Sequence, residues 1–466
     1  MISFSPDQLA AWTGGRWTAH PASALAGFNF DSRKLRAGEV FVAIKTTQRD
    51  GHDFLANAQA AGAAAALVGM PHREIALPQL VVADPLTSFQ AIAREHRRTF
   101  RGPVIGISGS AGKTSTKDLL TLLLGGASCG VVATEGNLNN RLGVPLTLTR
   151  IDPAQHRFAV IEAGISAPGE MAPLAAMIEP DLTLITLVAP AHTAELGGIE
   201  GVAREKAILP AATRPSGVAI FGKETAEFPA FRDLGVRTMV LERADVVRPA
   251  EPPKDKVFFA ITHRAGATAV ALAYGPPPPL TFEFRRVSDG MAQNAALAIC
   301  AALWLGVPRE VIQSRLAGWN AGKLRGEIRR TNGQLRYLDC YNANPASMRD
   351  ALETFDAIAP VDEPRLYVIG CMEELGPEAP AYHRMLGHSL RLRESDRLFV
   401  MGTLAGEVSA GFLEQGGTMD QIQIVTSYEP IAAGLADWRG AVFVKGSRRY
   451  QLERILEPSK SASMSC

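Results

Sequence analysis

Val104-Ile105-Gly106-Ile107-Ser108-Gly109-Ser110-Ala111-Gly112-Lys113-Thr114-Ser115-Thr116 is the stretch whose reading decides the fold. The apolar run after Pro103 has the texture of a buried strand, and a glycine-rich turn follows it. Lys117 to Leu124 reads as a helix ended by Gly125-Gly126. Strand, glycine turn, Lys-Thr and helix together form a cradle. Backbone N–H groups and the positive end of a helix dipole converge there on a point that an anion satisfies. Gly109, Ser110, Ala111, Gly112, Lys113, Thr114 and Ser115 are therefore candidate phosphate contacts, with Lys113 as a point charge and the Thr114 hydroxyl as a Mg2+ ligand. The eight-residue P-loop pattern wants glycine at 107, where this chain has Ile107, so the signal is the shorter Gly109-x-x-Gly112-Lys113-Thr114. The competing reading is a strand-to-helix connection whose glycines only turn the chain.

The chain has 466 residues, room for about three domains. Its 48 basic and 47 acidic side chains balance, so bulk charge points to neither nucleic acid nor a membrane surface. Five scattered cysteines (129, 300, 340, 371, 466) lack metal-type spacing and suggest reduced thiols. Met1 to Asp7 does not look like a signal peptide, and Ala60 to Met70 is too short and Ala/Gly-rich to span a bilayer. The expectation is a cytoplasmic protein.

Working outward, residues 84–315 alternate strands (Val104–Ser108, Ala159–Glu162, Leu182–Leu187, Val218–Phe221) with helices near 115–124, 169–178 and 199–211. Such alternation predicts α/β architecture, with a central doubly wound, mainly parallel sheet that takes ligands at the carboxyl ends of its strands. Short alternating segments between 249 and 285 look like antiparallel strands appended to it, and 290–305 returns to helix. Residues 1–83 read as an N-terminal α/β unit. Residues 316–466 read as a C-terminal Rossmann-like α/β unit, with strands near 335–339, 365–370, 397–401 and 441–445. The basic tail Arg94 to Arg101 of the helix Leu86 to Phe100 is expected to be a solvated face. Pro458 to Cys466 is expected to be disordered.

Several residues outside the phosphate stretch carry chemistry. Asn137, Asn139 and Asn140 suit a polar substrate or ordinary turn chemistry. Glu162 ends a buried strand, where a Mg2+ ligand belongs, although a capping or solvated glutamate has the same sequence. His192 follows a second strand in the turn Ala189-Pro190-Ala191-His192, as a ligand or a structural histidine. Lys206 lies in the helix Ile199 to Ile208 and by itself reads as an exposed lysine. Asp339-Cys340-Tyr341-Asn342-Ala343-Asn344 ends another strand. A nucleotide would lie against Tyr341 while Asp339 takes a ribose hydroxyl or water. Lys445-Gly446-Ser447-Arg448 ends the last strand and suits an anion.

Taken together these segments resemble the Mur ligase family of ATP-dependent amide-forming enzymes, over nearly the whole chain and in order. The resemblance rests on Gly109-Ser110-Ala111-Gly112-Lys113-Thr114, in a family P-loop that commonly lacks the leading glycine, and on Gly136-Asn137-x-Asn139-Asn140-x-x-Gly143-Val144-Pro145. Tyr341-Asn342-Ala343-Asn344-Pro345-x-Ser347-Met348 and Val444-Lys445-Gly446-Ser447-Arg448 extend it. Asp31-Ser32-Arg33 and Asp50-Gly51-His52-Asp53-Phe54 look like the family's UDP-sugar domain, which implies substrate roles for Ser32, Arg33, Asp50, Gly51 and His52. The resemblance further implies phosphate contact by Lys113 and Mg2+ ligation by Thr114, Glu162 and His192. Lys206 would be carbamylated by CO2 into a metal-site anion. Asn294 would contact adenine, Arg325 and Asp339 the ATP ribose and phosphates, and Asn342, Asn344, Lys445 and Arg448 the substrates. The implied reaction adds D-alanyl-D-alanine to UDP-N-acetylmuramoyl-tripeptide through an acyl phosphate, in peptidoglycan precursor synthesis, by a monomer using ATP and Mg2+.

The chain departs from the family where Gly290-Met291 replaces His-Asn, Thr186-Leu187 replaces Thr-Asn, Leu338-Asp339-Cys340 replaces Asp-Asp-Ser and Gly370-Cys371-Met372 replaces Gly-Asp-Met. These changes touch the rim of the expected site. They keep open a paralogue adding another amino acid, or a P-loop ATPase or kinase that forms no amide.

Overall fold

The strand Val104–Ser108 runs through the middle of a nine-stranded sheet, completely buried along its length. It lies between Phe158–Glu162 and Leu182–Ile185, parallel to both, with Ile107 opposite Glu162 and Ser108 opposite Ile185. The carboxyl ends of three adjacent strands therefore open on the same spot, and the chain's order along the sheet reverses there, which is where a doubly wound sheet leaves a crevice. The computed structural model describes residues 2–22, 24–191, 193–247, 255–331 and 333–456.

Val218–Gly222, Thr238–Arg243 and Lys256–His263 continue the sheet in parallel. Ala267–Leu272 and Leu280–Arg285 then complete it as an antiparallel meander. The expected appended strands are present. The sequence reading lacked Thr238–Arg243 and the short edge strand Val131–Ala133. The phosphate-loop helix begins at Lys113, four residues before the run from Lys117, so Lys113 and Thr114 form its first turn. Ile107 is buried in the sheet's core, which is why an isoleucine is accepted where the longer pattern wants glycine.

Two further sheets flank this one. The N-terminal sheet has the order Arg16–Trp17, Gln79–Val81, Ala65–Val68, Glu39–Val42, Gly27–Asn29, parallel except for the first strand. The C-terminal sheet has six strands, Glu327–Thr331, Gln334–Asp339, Ala441–Lys445, Arg365–Gly370, Arg397–Met401 and Ile422–Val425 in spatial order, parallel after the opening hairpin. The helix Pro85–Thr99 joins the first two layers. Its Phe89 and Ile92 belong to the N-terminal core and its Ala93 to the central one.

That helix corrects one expectation. Arg97, assigned to a solvated basic face, is fully buried. It donates to the carbonyls of Ile178 and Glu179 at 2.8 and 2.7 Å and to the Asp181 carboxylate at 2.9 Å. Four-residue windows of charge do not reveal this, because the partners lie more than eighty residues away. The expected disorder of 458–466 and the placement of His192 both fall outside the described residues. Among the described residues no helix is long and apolar enough to cross a membrane, and Cys129, Cys300, Cys340 and Cys371 are free thiols.

Candidate active site

The phosphate loop is held open by close backbone approaches that only glycine permits. At Gly112 φ is 78°, and a Cβ there would stand 2.4 Å from the Asn294 amide nitrogen. At Gly109 φ is 146°, and a Cβ would lie 1.9 Å from the Thr186 hydroxyl. Thr186 donates to the Ala111 carbonyl at 2.5 Å. The Ser110 hydroxyl donates to the Ala189 carbonyl at 2.7 Å and accepts from the Ala189 N–H at 3.0 Å, tying the loop to the turn that leads toward His192. The Ser110 side chain is thus engaged with protein, leaving its backbone for a ligand.

Two lysines converge on one carbonyl oxygen. Lys113 Nζ donates to Gly109 O at 2.7 Å, and the buried Lys206 donates to the same atom at 3.1 Å. Taken alone, Lys206 reads as exposed; here it is 3% exposed, because its helix Ile199–Ala211 packs beneath the loop. Burial pushes the Lys113 ammonium below its usual range, while Glu162 pulls it back up and Arg325 pushes it further down. Burial also drives Lys206 well below the lysine range, and the Lys113 charge adds to the effect. A pocket holding two destabilised cations calls for anionic oxygens.

Glu162 supplies the opposite charge. It is 1% exposed, and its Oε1 accepts from Asn139 Nδ2 at 2.8 Å and from the Thr114 hydroxyl at 3.2 Å. Its Oε2 is buried with no hydrogen-bond partner, an orphan that costs free energy unless a ligand reaches it. Among the described residues no three His, Cys, Asp or Glu side chains cluster as a metal cage. Mg2+ takes one or two protein oxygens and completes its shell with phosphate and water. An orphan carboxylate oxygen beside a threonine hydroxyl fits that need.

A cavity of about 610 Å³ opens from this point, between the central and C-terminal sheets. Ser110 to Ser115, Asn137, Asn139, Glu162 and Asn294 line its central side. Arg325, Asp339, Tyr341, Asn342, Asn344 and Lys445 line the other side. There the charges are already matched. Asp339 and Lys445 are register partners on adjacent parallel strands and form an ion pair in which Lys445 is buried and Asp339 partly buried. Burial nonetheless pushes the Asp339 carboxyl up, against the pull of Lys445. The Arg325 guanidinium lies 3.8 Å from the Tyr341 ring centroid, so a cation covers the ring proposed for the nucleotide. Asn344 caps the helix Pro345–Ile358 in a reciprocal capping box with Ser347.

Other candidates are not among the cavity's lining residues, although the Arg448 guanidinium lies 5.8 Å from the centroid of the lining Tyr341 ring. Asn140 accepts from the N–H groups of Leu142 and Gly143, both at 3.0 Å, and so folds its own turn. Arg448 pairs with Glu453 at 2.5 Å. In the N-terminal sheet, Arg33 pairs with Asp31 at 2.8 Å, beside Ser32. His52 Nδ1 lies 2.6 Å from Asp50, and His52 Nε2 accepts from the Gly69 N–H at 2.9 Å, which puts the ring proton on Nδ1. The bonds from His52 hold Asp50 well below the usual carboxylate range. Gly51 is required because a Cβ would stand 2.5 Å from the Ile44 nitrogen. These residues shape an exposed surface apart from the cavity.

Thr225, Leu241, Phe259 and Gln293 line the cavity without standing out in the sequence, whereas Thr186 is marked there only as a family departure. Leu241 and Phe259 look like core residues in sequence. Only their strand-end register marks them.

A central phosphate loop at a sheet's switch point, with a buried carboxylate and two lysines around it, defines a P-loop nucleotide-binding protein. Three family models cover the chain in order: the Mur ligase family catalytic domain over 25–96, the Mur ligase middle domain over 107–247, and the Mur ligase glutamate ligase domain over 324–448. A relative from Synechocystis sp. named UDP-N-acetylmuramoyl-tripeptide–D-alanyl-D-alanine ligase is 32% identical, over 80% of this chain and 78% of its own. The crystal structure of MurF from Acinetobacter baumannii superposes with a TM-score of 0.85 at 26% identity, covering 97% of this chain and 98% of that one. A MurF ligase from Thermotoga maritima, solved in complex with ADP, gives a TM-score of 0.77 at 25% identity over 92% and 96% of the two chains. The chain belongs to the Mur ligase family.

Proposed function

We propose that this Mur-family ligase couples ATP cleavage to amide formation, joining D-alanyl-D-alanine to the terminal carboxylate of UDP-N-acetylmuramoyl-tripeptide. The observation that carries the reading is the convergence of Lys113, Lys206 and the orphan Glu162 oxygen on the phosphate loop. The names of the relatives supply the substrate pair.

The γ-phosphoryl group of ATP passes to the substrate carboxylate, giving ADP and an acyl phosphate. The amine then attacks the acyl carbon, phosphate leaves, and the nitrogen loses a proton. Both partners in the first step are anionic, so positioning and charge neutralisation dominate. Lys113 holds the phosphates, and the loop N–H groups orient them. Mg2+, with Thr114, Glu162 and His192 as its ligands, would screen the charge on the phosphates. Lys206, kept low in proton affinity, presents the neutral amine that adds CO2 with loss of a proton, leaving a carbamate anion to join that set. Asn294 and Tyr341 frame the nucleotide, with Arg325 and Asp339 at its ribose and phosphates. Asn137, Asn139, Asn342, Asn344, Lys445 and Arg448 orient the substrates. Ser32, Arg33, Asp50, Gly51 and His52 belong to the UDP-sugar surface, in units divided near 83 and 315. The protein acts as a cytoplasmic monomer.

The test is phosphate release by the full chain with ATP, Mg2+, UDP-sugar tripeptide and a panel of amines. Release that requires D-alanyl-D-alanine supports the reading. Release with another amino acid marks a sister specificity, and amine-independent release marks an ATPase.

A further inference from the structure

The helix Asp289–Trp304 turns one face to the cavity: Gly290, Gln293, Asn294 and Leu297 recur at helical spacing and all line it. Asn294 stands beside Gly112 at the phosphate end, which puts it nearer the phosphates than the adenine that the family resemblance implies for it. Away from that end, the buried Leu241 and Phe259 form an apolar wall against the same helix. A phosphate end and an apolar end within one cavity orient a nucleoside triphosphate, with its base on the wall.

The polar group at the apolar end is fixed by a chain of contacts. Phe259 and Arg243 are register partners on neighbouring strands. Arg243 donates to both oxygens of Asp289, at 2.5 and 2.8 Å. A His263 ring nitrogen lies 3.4 Å from the same carboxylate, and Gln293 Nε2 donates to it at 3.1 Å. Burial alone would raise the Asp289 carboxyl, but the bonds from Arg243 outweigh it and hold the group below its usual range. Asp289 is therefore an acceptor only, and the Gln293 atom facing it is the amide nitrogen. The amide can no longer flip. Its Oε1 remains the unengaged polar atom of a side chain that lines the cavity.

We infer that Gln293, locked by Asp289 and Arg243, reads the nucleobase: its Oε1 accepts from a purine 6-amino group and repels a 6-oxo group. The inference rests on the nucleotide reading above and adds to it the residue that discriminates. Gly290 and Met291 stand where the family often has His-Asn, and neither offers a strong side-chain donor or acceptor, so base reading falls to the next turn. Glu224 also lines the cavity, but it is exposed, and water competes for an exposed acceptor.

The test is competition binding by the whole 466-residue chain of ATP, GTP and purine riboside 5′-triphosphate, which lacks the 6-amino group. ATP is expected to bind about 5–10-fold tighter than purine riboside triphosphate, as one hydrogen bond in a desolvated site provides, with GTP weakest. Gln293→Met, nearly isosteric and favourable in a helix, lowers ATP to the level of purine riboside triphosphate and leaves the latter unchanged. Asp289→Asn keeps Gln293 but releases its amide, and narrows the gap in part. An ATP preference unchanged in both variants overturns the inference while leaving the nucleotide reading intact. A wild-type chain that binds none of the three overturns the nucleotide reading itself.

Discussion

The two sheets that face the cavity are built from the same ingredients and end in opposite electrostatic states. Each is a mostly parallel α/β sheet, and each presents acidic and lysine side chains, buried or partly buried, at strand or helix ends. On the C-terminal side, Asp339 and Lys445 sit at matched register and neutralise one another. On the central side, Glu162 keeps one oxygen without a partner, and Lys113 and Lys206 share a carbonyl instead of a carboxylate. Matched charge shapes a wall. Unmatched charge marks where a ligand supplies what the protein lacks.

The sharpest way to break this contrast is Lys113→Ala. Amine-dependent phosphate release should fall about 10³-fold or more, the scale of removing a principal transition-state cation contact, while the ligand-free protein stays folded with an unchanged far-UV circular dichroism spectrum. A variant that turns over normally, or that unfolds, would erase the distinction. On the matched side, Lys445→Met leaves the partly buried Asp339 without its partner and should destabilise the chain by roughly 1–3 kcal/mol in urea titration. Adding Asp339→Asn should recover much of the loss. A single variant as stable as wild type would show that the pair is not buried in effect.

Lys206→Met probes the unmatched side through pH. With its proton affinity depressed by folding, Lys206 binds fewer protons folded than unfolded, so stability rises with pH between its folded value and the ordinary value near 10.5. In EDTA and without nucleotide, the variant should therefore melt above wild type at pH 7, with the gap closing as pH approaches 10. A gap that widens with pH would contradict the assignment. The smallest effect is expected for Asn344→Ala, which removes a helix cap on the matched wall. A loss of about 1 kcal/mol, read by denaturant titration, is expected from the lost cap.

The sequence alone was enough for the phosphate cradle, the alternation that makes a doubly wound sheet, and the strand-end positions of Glu162 and Asp339. Each of these is written in neighbouring residues: glycines that allow positive φ, an apolar run of strand length, a carboxylate where that run stops. What only the tertiary structure decided was which charges meet. Arg97 looks solvated until Asp181 is brought to it, Lys206 looks exposed until its helix covers it, and Gln293 looks unremarkable until Arg243 fixes Asp289 beside it. Burial and pairing depend on residues tens of positions apart, so no local pattern encodes them. They set the free energy of every ionised group in the cavity.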